Sequence, residues 1–97
     1  MELNVHSKSV HAAHWGESIN PALVMVHGAG GNHAVWSLVA PNVAAEGYYV
    51  LAPDLPGHGL SEGEALTSIP ALADWLTAFL DAAGLQRVIL AGHSMGA

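Results

Sequence analysis

Ser94 stands in Gly92-His93-Ser94-Met95-Gly96, a G-x-S-x-G directly behind the apolar run Arg87 to Ala91. A serine hydroxyl becomes a nucleophile when a tight strand-to-helix turn lifts it to the open end of a sheet, and small residues two before and two after let the neighbouring backbone close that turn. The same pattern also serves as a plain turn ending a strand. A second segment, His27-Gly28-Ala29-Gly30-Gly31, follows the apolar run Ala22 to Val26. A phosphate cradle of the G-x-G-x-x-G kind needs a glycine where His33 stands, which argues against a dinucleotide cofactor. The other chemistry open to such a loop is backbone N–H groups aimed at a developing oxyanion. Ala29, with Met95 just after the serine, would supply the usual pair of donors. Asp54-Leu55-Pro56-Gly57-His58-Gly59-Leu60-Ser61 reads by itself as turn chemistry without a function.

Those segments need elements to hold them. Residues 2 to 15 read as two short strands, Leu3 and Val5 in the first and Val10, Ala12 and His14 in the second, joined by a turn at Ser7-Lys8-Ser9. Ala22 to Val26 is apolar without alternation, as in a strand covered on both faces. Trp36, Val39, Ala40 and Val43 repeat at helical spacing, and Pro41 inside that stretch predicts a kink or two short helices, with Gly47 as the stop. Tyr48 to Pro53 predicts a second covered strand. Ser68 caps a helix whose face carries Ile69, Leu72, Ala73, Leu76, Phe79, Leu80 and Ala83 up to Gly84. Arg87 to Ala91 is the last strand. Covered strands alternating with helices define an α/β fold with a mostly parallel sheet and flanking helices, in one domain over residues 1–97.

Composition narrows the function. The 97 residues are 52% hydrophobic and 10% charged, with eight acidic residues against Lys8 and Arg87, a formal charge of -6 and no cysteine. This balance offers no cationic surface for nucleic acid or anionic lipid. It also contains no thiolate metal site and no disulfide framework. No apolar run approaches a membrane span and the first residues lack signal-peptide features, so the expected location is the cytoplasm. His6, His11 and His14 could suggest a metal cluster, but residues three apart on a strand point to opposite faces. They read as ordinary surface histidines, and no metal is expected.

Taken in order, H-G-A-G-G, D-L-P-G-H-G-L-S and G-H-S-M-G resemble the N-terminal half of the α/β-hydrolase superfamily, in its esterase, lactonase and lipase-like branch. The resemblance covers essentially the whole chain. It implies Ser94 as nucleophile, Ala29 and Met95 as oxyanion-hole donors, the Asp54 to Ser61 loop as structural, and His93 as a neighbour shaping the elbow. It implies a small ester-like substrate, attacked to give an acyl-enzyme that water then releases, without cofactor or metal. A serine at the elbow points away from the dehalogenase and epoxide-hydrolase branches, which place an aspartate there. In the family the triad acid and histidine follow the nucleophile, whereas three residues follow Ser94 here. The expectation is therefore a fold truncated after the elbow, inactive as a 97-residue chain and inclined to self-associate through an apolar sheet edge. His58 and Asp54 form the weaker candidate for a makeshift base, and a non-catalytic interaction module is the alternative to an enzyme.

Overall fold

A computed structural model of the chain describes residues 1–28 and 31–92. Five strands, β1 (Glu2–Val5), β2 (Lys8–Trp15), β3 (Ala22–Val26), β4 (Tyr49–Pro53) and β5 (Val88–Gly92), make one sheet in the order β1-β2-β4-β3-β5. The sheet is mixed. β1 and β2 form an antiparallel hairpin and β2 runs antiparallel to β4, while β4, β3 and β5 are mutually parallel. Burial is deepest in the inner parallel pair β3 and β4, which are covered on both faces.

The hairpin turn falls at His6 and Ser7 and not at Ser7-Lys8-Ser9. Both residues have positive φ, 51° and 64°, the hand of a two-residue turn whose twist suits a hairpin, here made without glycine. Met1 closes the far end of the hairpin, its ammonium donating to the Ala12 carbonyl over 2.7 Å.

Pro41 divides the segment after β3 as its ring geometry requires. A 3₁₀ turn at His33–Trp36 is followed by α1 (Ala40–Ala45), with the proline in the first helical turn and Gly47 beyond the end at φ 99°. α2 (Ile69–Ala82) is capped by the Ser68 hydroxyl, which accepts from the Ala71 N–H. The helices take opposite faces. Leu72, Trp75 and Phe79 of α2 pack with Val24, Val26, Leu51, Val5 and Val10; Ala40 of α1 packs with Met25, Val50 and Ala52, the alternate residues of the same strands. The buried stripe of α2 is rotated from the expected one. Trp75 lies inside, stacked on Phe79 at 5.5 Å, while Ile69 is 63% exposed.

Cover thins at β5. Val88 and Ala91 pack against the two core clusters, one on each face, whereas Ile89 and Leu90 point to opposite faces and are 50% and 54% exposed. Among the described residues β5 pairs with β3 alone.

Candidate active site

The three motifs leave the sheet together. β4, β3 and β5 are adjacent and parallel, so Asp54 after β4, His27-Gly28 after β3 and Gly92 at the end of β5 all lie at one carboxyl edge. Val26 and Gly92 are register partners. The glycine-rich segment and the G-x-S-x-G segment therefore depart from neighbouring rungs, with the chain crossing from β3 to β4 on one side and to β5 on the other. Such a switch of direction opens a crevice at the carboxyl ends of strands, where α/β proteins bind ligands. Ser94, Met95, His93 and Ala29 lie outside the described residues.

The rim of this edge is a closed polar network. His27 is fully buried, and its Nε2 accepts from the Leu55 N–H at 2.9 Å, so its Nδ1 carries the proton and donates to the Gly28 carbonyl at 2.7 Å. Burial lowers its pKa, against the opposing effect of the Gly28 hydrogen bond, and the ring is neutral at neutral pH. The Gly28 oxygen also accepts from the Gly31 N–H at 3.0 Å.

Asp54 is the second buried titratable group of the rim. One carboxylate oxygen accepts from the His33 N–H and ring Nδ1 at 2.6 and 2.8 Å; the other accepts from the Leu60 N–H at 3.0 Å. Burial is the largest single influence and disfavours the charge. The Leu60 and His33 hydrogen bonds together outweigh it and hold the carboxyl below its ordinary value. Gly59, at φ 50°, lies against this carboxylate, and a Cβ built there would overlap Asp54. The glycine is required twice over, by conformation and by space. Ser61 completes the loop, its hydroxyl accepting from the His11 N–H at 2.9 Å.

The Asp54 to Ser61 loop is thus a brace, tied to β2 through Ser61, to the turn after β3 through His33 and to its own backbone through Leu60. His58 is half-buried, its Nδ1 donating to the Pro56 carbonyl at 3.0 Å and its ring 5.1 Å from that of His27. Asp54 takes its hydrogen bonds from His33 and from the Leu60 backbone. Sequence reasoning noticed His33 only as an interruption of a glycine motif. The available signal was Asp54 itself, an acid at the end of an apolar strand, which must find donors if it is buried.

A cavity of about 260 Å³ lies elsewhere, between the hairpin turn and the segment after Ser61, lined by Val5, Lys8, Glu62, Leu66 and Trp75 among others. It includes none of His27, His33 and Asp54. No helix among the described residues is long and apolar enough to cross a membrane.

Sheet order, covering helices and the three strand-end motifs agree with the comparisons. Residues 21–97 match the model of the alpha/beta hydrolase fold family, and the chain belongs to that family. It is 45% identical over 83 residues to the dihydrolipoyllysine-residue acetyltransferase component of the acetoin cleaving system of Pseudomonas putida, across 84% of this chain and 22% of that protein. Among solved structures, a bacterial membrane phospholipase A superposes with a TM-score of 0.92 at 33% identity, covering 99% of this chain and 31% of the other. A lipase of Acinetobacter baumannii superposes at 0.89 and 35% identity, covering 99% and 33%. The chain thus spans between a fifth and a third of the length of these proteins.

Proposed function

We propose that this chain supplies the nucleophile and oxyanion-hole portion of a serine hydrolase acting on carboxylic esters or lactones in the cytoplasm. The observation that carries this reading is the register of Val26 with Gly92, from which the H-G-A-G-G and G-H-S-M-G segments leave adjacent parallel strands at one edge. The similarity to a membrane phospholipase A supports ester chemistry, one of several reactions this scaffold hosts.

In the proposed reaction Ser94 Oγ attacks the substrate carbonyl and its proton passes to a general base, expected after Ser94 in chain order. The N–H groups of Ala29 and Met95 receive the oxyanion. Collapse of the tetrahedral species expels the alcohol and leaves an acyl-serine, which water cleaves to the acid. Removing one oxyanion donor in such sites costs about 100- to 1,000-fold in kcat.

The test is intact mass before and after a fluorophosphonate probe, on the protein as isolated from its source. One adduct, mapped to Ser94 and absent from Ser94→Ala, is the expected result. Failure to label Ser94 in a folded protein overturns the reading and leaves a binding module built on the same fold.

A further inference from the structure

His6, His11 and His14 do not converge, but the fold brings His11 to two other residues. His11 lies on β2, His33 opens the 3₁₀ turn after β3, and Asp54 follows β4. One ring nitrogen from each histidine and one Asp54 carboxylate oxygen all lie within 4.8 Å of one another. The two rings are 4.9 Å apart, tilted at 58°. Asp54 is buried and fixed, whereas both imidazoles are partly open to solvent, so an ion has a way in and the rings have freedom to close on it.

A further feature points to metal. His11 rests its Nδ1 on a carboxylate outside the cluster, Glu2 Oε1 at 2.6 Å. A carboxylate behind an imidazole orients the ring and raises its basicity, the usual arrangement around ligating histidines. For His11 the Glu2 contact occupies Nδ1 and leaves Nε2 as the donor for a cation.

We propose that His11, His33 and Asp54 form a binding site for a divalent transition-metal ion, with Glu2 as the carboxylate behind His11. Two imidazoles and one carboxylate suit Zn²⁺ or Ni²⁺, whereas Mg²⁺ and Ca²⁺ favour all-oxygen sets. Metal–ligand bonds of about 2.0–2.2 Å require the rings to swing inward from their half-buried positions. Bound metal would staple β2, the turn after β3 and the loop after β4. This site is independent of the serine chemistry.

The experiment titrates Zn²⁺ into chelator-treated protein, reading bound metal by calorimetry and elemental analysis and stability by thermal melting. One Zn²⁺ per chain with a Tm raised by several degrees, reversed by chelator and not reproduced by Mg²⁺, is expected. His11→Ala should weaken zinc binding at least tenfold and remove the zinc-dependent rise. It should still fold, because the Ser61 hydroxyl is held by the His11 main chain. His6→Ala and His14→Ala should bind as the parent does. Absence of stoichiometric zinc from the parent, an equal response to Mg²⁺, or undiminished binding by His11→Ala each overturns the site.

Discussion

The loop after β4 and the strand β5 border the same edge of the sheet and are held by opposite means. The loop is polar and internally complete: Asp54 has three donors, Gly59 fits against its carboxylate, and Ser61 receives the β2 backbone. β5 is apolar and, among the described residues, joined to β3 alone by a backbone ladder, while Ile89 and Leu90 stand half in solvent on its two faces. The contrast separates two sources of order. A closed network of buried polar groups fails steeply when one member is removed, whereas a thinly covered apolar strand tolerates change in itself but presents a template for association.

The comparison breaks first at Gly59. Gly59→Ala drives a methyl into the Asp54 carboxylate from a left-handed backbone, and a loss of about 3 kcal/mol or more is expected by denaturant titration, the sum of strain and a broken network. Asp54→Asn keeps the shape but turns one acceptor into a donor facing donors, with an expected loss of about 2–3 kcal/mol. A loss below about 0.5 kcal/mol for both would mean that the loop is not a brace. Next comes pH. His27 has a lowered folded pKa, so the unfolded chain takes up protons first and stability falls as the pH drops below 6.5. Asp54, also lowered, adds a second loss once the pH falls below 3.8. Denaturant midpoints between pH 8 and 3 should decline in those two windows, and His27→Gln should flatten the upper one. The smallest effect belongs to β5: Leu90→Lys should change stability by less than about 1 kcal/mol. It should also lower the apparent mass in sedimentation, if this edge joins copies of the chain as its exposed side chains suggest.

Where the local chemistry was decisive, the sequence announced the structure. Pro41 split its helix, Ser68 capped α2, and the unbroken apolar runs became the parallel strands. Trp75 was harder, since hydrophobic spacing on α2 permits several overlapping stripes, and packing against Val5 and Val10 selects the one that buries it. The turn at His6-Ser7 lacks the glycine that usually signals its backbone, so the strands dictate it. At the candidate site, the motifs marked the correct sheet edge through residues next to one another in the chain. The cluster of His11, His33 and Asp54 joins positions 22 and 21 residues apart, and no periodicity links them before the strands are placed.

The Gly28 carbonyl shows a further consequence of the closed rim. Its oxygen already receives the His27 ring N–H and the Gly31 N–H, so both lone pairs are engaged within the turn. A carbonyl dipole left bare at a sheet edge opposes negative charge nearby; one whose lone pairs receive donors within the turn opposes it less. The buried histidine thus acts on the electrostatics of the edge without touching a ligand, by occupying an acceptor that would otherwise oppose negative charge.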